Sequence, residues 1–511
     1  MTRLLRALIL AGLALAVLPA LALAHPLGNF TINHFAGVRV STDRVDIDVV
    51  IDRAEIPAFQ ARQALDADAN GTVSTAETDA ARRAGCSDLL GSIALTVDRS
   101  PLALQSTAAG LSFPAGAGGL PTMRLVCQYS AVLDAPINGP VTVSFADNSF
   151  AERIGWREIV VAGDGVSVAD RAAVDLMGVS DRLTSYPEDL LAQPLDMRSL
   201  EFAVTPGGPA LAAWTAPDAQ PLNGGTGAVA GGGSQSPPVA SVPGGIGAEL
   251  AAILDAPDLS PAVILGAMLV AVALGAAHAV SPGHGKTIMA AYLVGTRGTT
   301  RHAIALGLTV TVAHTLGVMA LAALTLLAAT TLPPERLYPI LGVVSGALVV
   351  VIGGTLLAGR LRVLLRARRH AAAHRSGDDH DHGHDHDHGH GHDHGHDHAP
   401  LDGGRLSWRG LFALGLSGGL VPSASALILL LGSISAGRIG YGVLLVLGFG
   451  VGMALVLGGV GLALVHAARL IERLPTRGFA GAPMVAVQAA TAVLVVVLGV
   501  VLTGQALVEV L

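Results

Sequence analysis

The chain has 511 residues, of which 51% are hydrophobic and only 14% charged, well under the roughly 25% charge of ordinary soluble domains. Its formal net charge of −7 equals the contribution of the seven aspartates between Asp378 and Asp397, so the remainder is near neutral and has no broad basic surface for nucleic acid. A soluble cytosolic enzyme is excluded, and 64 glycines with 4% aromatics point to helices packed closely in lipid.

Residues 1–24 carry Arg3 and Arg6, an apolar run from Ala7 to Leu18, and the small-x-small site Ala22-Leu23-Ala24. That pattern predicts a secretory signal peptide and a mature chain beginning at His25. Cleavage would leave His25 with a free amine beside its imidazole, a two-nitrogen metal chelate with His34 nearby. Residues 25–205 read as a small, mostly-β exported domain. The alternating stretches Val38–Val40 and Val45–Val49, with Ser92–Val97, Arg124–Val132 and Gly139–Phe145, are its expected strands. Cys86 and Cys127 are the only cysteines. They form either a disulfide, as an oxidising compartment favours, or two separate buried thiols.

Within this domain, residues 66–77 place Asp66, Asp68, Asn70, Thr72, Ser74 and Glu77 at positions 1, 3, 5, 7, 9 and 12, with Gly71 at position 6. This is the spacing of the calcium-binding EF-hand loop, in which oxygens converge on Ca²⁺ and glycine permits the sharp turn. The flanking stretches Glu55–Leu65 and Thr75–Ala84 are expected to be helical, forming a helical insertion in the β-domain. Residues 206–250 are rich in Gly, Pro, Ala and Ser and read as a flexible linker.

Residues 255–511 predict a six-helix polytopic membrane domain. Apolar segments of spanning length lie near 261–280, 303–329, 339–358, 409–432, 439–466 and 484–508. The short piece 287–295 would continue the first span after a break at Pro282-Gly283. With the N-terminal domain exported, the inner loops 296–302, 360–408 and 467–483 hold Arg297 and Arg301, then Arg360 through Arg405, then Arg469, Arg473 and Arg477. The outer loops hold only Arg336 and Arg438, as the positive-inside rule requires. Pro282 precedes His314 by 32 residues and Pro422 precedes Met453 by 31. The similar spacing suggests two three-helix halves in opposite orientations.

The first span ends in His278-Ala-Val-Ser-Pro282-Gly283-His284-Gly285-Lys286-Thr287. Pro282 has no N–H to bond the carbonyl of His278, and two glycines let the chain leave helical geometry. Unwound backbone at membrane depth needs protein or a water-filled cavity around it, so His278 and His284 mark a candidate pathway, with His314 in the second span as a third ligand. The Gly-Lys-Thr ending is not a Walker A motif, because position 280 is valine where a glycine is required. No other ATPase motif occurs, so transport would draw on an ion gradient or a partner. Within residues 370–400, the inner loop carries His380, His382, His384, His386, His388, His390, His392, His394, His396 and His398, interleaved with aspartates and glycines. Imidazole and carboxylate suit Ni²⁺, Co²⁺, Zn²⁺ and Cu²⁺.

Taken together, the His278–Thr287 motif, the later Gly415-Leu-Ser417-Gly-Gly-Leu-Val-Pro422-Ser423-Ala-Ser425 segment and the His-rich loop resemble the NicO family of nickel/cobalt transporters over residues 255–511. The start His25-Pro-Leu-Gly-Asn-Phe-Thr-Ile-Asn-His34 is similar to the exported region of longer members. One departure is Ser423, where relatives often have cysteine. The resemblance implies Ni²⁺ or Co²⁺ as cargo of a multi-pass protein of a bacterial cytoplasmic membrane, with the N-terminal domain outside, and no enzymatic activity. Three readings stand: efflux, with the His-rich loop capturing or sensing cytosolic metal; uptake, with the loop as a store; or a non-transporting metal reservoir. Partners beyond metal ions and lipid are not specified by these residues.

Overall fold

A computed structural model describes residues 28–168, 176–191, 193–212, 216, 218–222, 260–280, 299–327, 334–375, 408–472 and 482–510. The signal peptide, His25, the Pro282–Lys286 motif and the His-rich loop lie outside the described residues. Two compact units emerge, one of 264–427 and 443–511, the other of 21–263 and 428–442.

The N-terminal unit is a two-sheet β-structure with a helical insertion. Its strands are β1 (Ile32–Ser41), β2 (Arg44–Arg53), β3 (Ile93–Val97), β4 (Ser100–Pro101), β5 (Gln105–Ser112), β6 (Met123–Val132), β7 (Val141–Asp147), β8 (Arg157–Asp164), β9 (Val166–Val168), β10 (Ser199–Pro206) and β11 (Gln220–Pro221). One sheet has the order β11-β5-β6-β2-β1-β8 and the other β4-β3-β7-β10-β9. β1 and β8 run parallel, and the other pairs run antiparallel. One parity of β1 and β2 is mainly apolar, and on the other Phe35 and Val50 stand among polar residues, because both faces are covered. Ile32, Ala36, Val38, Val40, Ile47, Val49 and Ile51 enter the main core, whereas Phe35 and Val50 join Trp156 and Leu183 on the opposite face. There the buried Arg182 guanidinium grips Asp48 through Nε at 2.7 Å.

The insertion consists of α1 (Glu55–Leu65) and α2 (Thr75–Leu90). Ser74 caps α2 and Glu77 reaches back to the Ser74 backbone, a reciprocal capping box. A Cys86–Cys127 disulfide fastens α2 to β6, with Cα atoms 5.5 Å apart, and the Tyr129 hydroxyl donates to the Cys86 carbonyl at 2.7 Å. The expected strands are all present. The sequence reading did not identify β5, β8 and β10. β5 is rich in Ala, Ser and Gly, which carry little strand propensity. Regular pairing also reaches Gln220–Pro221, which joins Ala108 and Ala109 within the stretch read as linker.

The helical unit contains α3 (Pro261–Val280), α4 (Thr300–Leu327), α5 (Pro334–Arg375), α6 (Trp408–Gly419), the start of α7 (Ala424–Ser435), most of α8 (Ile439–Glu472) and α9 (Ala482–Val510). Among the described residues four helices are long and apolar enough to cross a bilayer: Pro261–Val280, Thr300–Leu327, Leu337–Gly359 and Ile439–Ala467. The pair Gly410–Gly419 and Ala424–Ser435, bent by 63°, makes a fifth if it is one span. The sixth expected span falls in α9, whose described apolar stretch, Ala492–Leu507, is shorter than those four.

Glycine sets the helix contacts. A Cβ at Gly275 of α3 would run into the Phe449 carbonyl of α8, and one at Gly452 of α8 into the Val272 carbonyl of α3. A Cβ at Gly415 of α6 would come within 2.7 Å of the Thr309 side chain of α4. These contacts are reciprocal in sequence. Gly275 and Gly415 each stand seven residues before a proline, Pro282 and Pro422, and Thr309 and Phe449 each stand 27 residues after one.

In the N-terminal unit, His34 of β1 and Asp147 of β7 tie the two sheets together, Nδ1 to Oδ2 at 3.0 Å, with both groups buried. Burial lowers the imidazole pKa below its ordinary 6.5, outweighing the Asp147 hydrogen bond and charge that raise it. Burial also works against the Asp147 carboxylate, but hydrogen bonds from His34 and Ser149 hold it below its ordinary 3.8. The unfolded chain therefore protonates His34 before the folded chain does, and folding weakens as pH falls below 6.5. The Asp147 contribution is lost only below 3.8. Hydrogen exchange of β1 and β7 in the full chain, corrected for intrinsic rates, should show weaker protection at pH 5.5 than at 7.5. His34→Asn should remove that difference.

Candidate metal-transfer site

Three helices bring the site together. His278 lies in the last turn of α3, His314 in the middle of α4 and Phe449 in α8. His314 is 4% exposed and Phe449 2%. The His278 and His314 rings have centroids 5.4 Å apart, and each also meets the Phe449 ring, at 5.6 and 6.3 Å, the second stacked at 12°. Two of the three expected transport-site histidines are therefore neighbours, although 36 residues separate them in the chain. His284, the third, lies outside the described residues.

The break between α6 and α7 supplies a fourth element. The Ser423 backbone N–H donates to His314 Nε2 at 3.2 Å, and the Ser423 hydroxyl is 3.2 Å from the same nitrogen. Because Nε2 accepts a backbone N–H, it carries the imidazole lone pair, and the proton of the neutral ring sits on Nδ1. Ser423 also caps α7, its Oγ accepting the Ala426 N–H at 3.3 Å. The approach depends on Gly419, where a Cβ would run into the Val310 carbonyl and stand 3.0 Å from the backbone nitrogen of His314. One turn before His314, Thr311 is 6% exposed and its hydroxyl has no hydrogen-bond partner among the described residues. The described parts of the expected spans hold no acidic residue, so they offer no carboxylate as a donor.

Sequence reasoning did not see Ser423 as the partner of His314, since 109 residues separate the two. It missed Phe449 altogether. The available signal was a lone aromatic amid the glycines of Gly448-Phe449-Gly450.

The loop between α1 and α2 gathers oxygens. Ligand-capable atoms of Asp66, Asp68 and Glu77 lie within 4.8 Å of one another. Asp66 accepts the Asn70 and Gly71 N–H groups at 3.0 and 2.7 Å, and Gly71 has φ +86. Glu77 Oε1 takes the Ala67 N–H at 2.8 Å, folding position 12 back onto the loop's start. Hydrogen bonds from Ser74, then Ala67, hold the Glu77 carboxyl below its ordinary range. Asn70 Oδ1 receives both the N–H and the hydroxyl of Thr72. Ser74 spends its hydroxyl on the helix cap. His34 Nδ1 is taken by Asp147, and its buried Nε2 has no hydrogen-bond partner among the described residues.

The family model described as high-affinity nickel-transport protein matches residues 264–400. A Methanocaldococcus jannaschii protein, provisionally named a nickel/cobalt efflux system, is 30% identical over 200 residues, covering 39% of this chain and 76% of the relative. The nickel/cobalt efflux system RcnA of Escherichia coli K12 is 49% identical over 45 residues, 9% of this chain and 16% of RcnA, and that of Shigella sonnei matches equally. No solved structure matches. Breadth comes from the archaeal relative and local identity from RcnA, and with the family model they converge on one assignment: this chain belongs to the NicO family of nickel/cobalt transporters.

Proposed function

We propose that this protein moves Ni²⁺ or Co²⁺ out of the cytoplasm, passing the ion through a site lined by His278, His284 and His314. The observation that carries the proposal is the meeting of His278 and His314 between apolar helices. A buried imidazole such as that of His314 is costly among lipid-spanning helices without a task, and neutral imidazole nitrogen suits borderline divalent metals. The reciprocal glycine contacts of α3 with α8 and of α4 with α6 support two three-helix halves around the site and six crossings in all. In that topology the His-rich loop His380–His398 faces the cytoplasm with the arginine-rich ends. There it would capture excess metal and deliver it to the inner mouth, which favours efflux over uptake. The names of the archaeal and enterobacterial relatives point the same way.

Cells challenged with nickel or cobalt and expressing the intact chain should hold less metal than cells expressing His284→Ala or His314→Ala at matched levels. A higher content with the intact chain would mean uptake. Equal content in all three would favour the reservoir reading.

We also infer that residues 66–77 hold Ca²⁺ in the extracytoplasmic domain, as a structural ion. Asp66, Asp68, Asn70 and Glu77 supply side-chain oxygens and Thr72 its backbone carbonyl, the set the EF-hand loop uses. The Cys86–Cys127 disulfide supports an oxidising location for this domain. Calcium should slow proteolysis between α1 and α2 in the full chain, and Glu77→Gln should abolish that protection while leaving the disulfide intact.

A further inference from the structure

The lone pair of His314 Nε2 is already engaged. Both the N–H and the hydroxyl of Ser423 lie 3.2 Å from it. A neutral imidazole offers one lone pair on its unprotonated nitrogen, and a divalent metal bound through Nε2 must take that same pair. Ser423 and the metal cannot hold it at once.

Ser423 also occupies the point where the broken span turns. Its carbonyl accepts the Leu427 N–H at 3.2 Å and its hydroxyl the Ala426 N–H at 3.3 Å, so it opens the first turn of α7. Residues 420–423 separate α6 from α7 at a bend of 63°. The free N–H groups at a helix start carry the positive end of the helix dipole. An imidazole lone pair is a good neighbour for that end, and a divalent cation is a poor one. Metal arriving at His314 would therefore both remove the acceptor of the Ser423 N–H and repel the helix start behind it. Gly419 leaves no slack, since its backbone is packed against Val310 and Ala313 of α4. The displacement would fall on residues 420–423.

We propose that Ser423 is a latch on the transport site. In the metal-free protein it closes the α6–α7 bend onto α4 through His314 Nε2, and cargo binding opens it by competing for that nitrogen. Cargo occupancy is thereby coupled to movement of the broken span. The proposal rests on the reading of His314 as a transport-site ligand. Ser423 acts through His314 and is a positioning residue.

Two variants of the full chain in lipid nanodiscs test it, each with the ten loop histidines His380–His398 changed to asparagine so that the loop does not compete, with Co²⁺ as the probe, read by equilibrium binding and by the visible absorption of the bound ion. Ser423→Ala removes the hydroxyl and keeps the N–H, whereas Ser423→Pro removes both. With the competitor weakened, Co²⁺ should bind more tightly, by roughly threefold in Ser423→Ala and roughly tenfold in Ser423→Pro, the range that loss of one or two neutral hydrogen bonds allows. The absorption bands should keep their positions, because the coordinating atoms are unchanged. In proteoliposomes both variants should release cargo more slowly than the intact chain. Weaker binding with shifted bands in Ser423→Ala would make the serine a ligand and overturn the latch, and unchanged binding would overturn it as well. Ser423→Ala alone decides the matter if the proline variant does not fold. His314→Ala separates this failure from failure of the site. Lost binding there with unchanged Ser423 variants removes only the latch, whereas intact binding in His314→Ala removes the transport-site reading itself.

Discussion

A helix can be interrupted within a bilayer only where protein or water takes up the backbone groups that the interruption frees. The bend between α6 and α7 meets that requirement through Ser423, whose N–H is received by a side chain of another helix. The rest of the helical unit is arranged to make the contact possible. Gly415 and Gly419 let α6 lie on α4 so closely that a Cβ at either would collide with the side chains or backbone of α4. Gly275 and Gly452 do the same between α3 and α8, which carries Phe449 to the two imidazoles. Lipid provides little hydrophobic drive for helix association, so close backbone approach through small residues is what holds such helices together. The glycine richness of the chain and the placement of its buried histidines are thus two sides of one constraint.

Much of this was legible because the signals are local. A histidine within an apolar span marks a polar task whatever surrounds it, whereas the stretch 409–432, read as one span, is bent by 63° between Gly419 and Ala424. The calcium-type loop was legible for the same reason, since spacing within twelve residues fixes where its oxygens fall, and the helices α1 and α2 flank it as expected. What stayed hidden is non-local. No spacing rule joins Ser423 to His314 across 109 residues, and the partner of a buried imidazole emerges only when α6 packs on α4. β8 was hidden for a related reason. It lies parallel beside β1 from far along the chain, and Trp156 and Val160 face a second core that alternation alone does not announce.

The two units bury polar groups by opposite rules. In the N-terminal unit they come as charged or partly charged pairs, Arg182 of a turn with Asp48 of β2 and His34 of β1 with Asp147 of β7. Removing one partner of such a pair leaves an uncompensated buried charge, at a cost of about 3–5 kcal/mol. In the helical unit the described polar groups around His314 are an imidazole, hydroxyls and a backbone N–H, with no acidic side chain among them.

That difference in donors bears directly on which ion belongs where. Carboxylates and carbonyls, as in residues 66–77, favour hard Ca²⁺ and neutralise it, which suits an ion that stays. Imidazoles favour Ni²⁺ and Co²⁺ over Ca²⁺ and Mg²⁺ by their softness and leave the cation's charge uncompensated. An uncompensated divalent charge between apolar helices is unstable relative to water. On the proposed reading of His278 and His314 as ligands, the site would bind its cargo only as tightly as the ligand bonds allow and would retain a strong drive to release it to the aqueous phase. A buried carboxylate at His278 or His314 would deepen the well and hold the ion. Their neutrality, with the backbone N–H of Ser423 ready to reclaim His314 Nε2, fits a site through which metal passes rather than one in which it is stored.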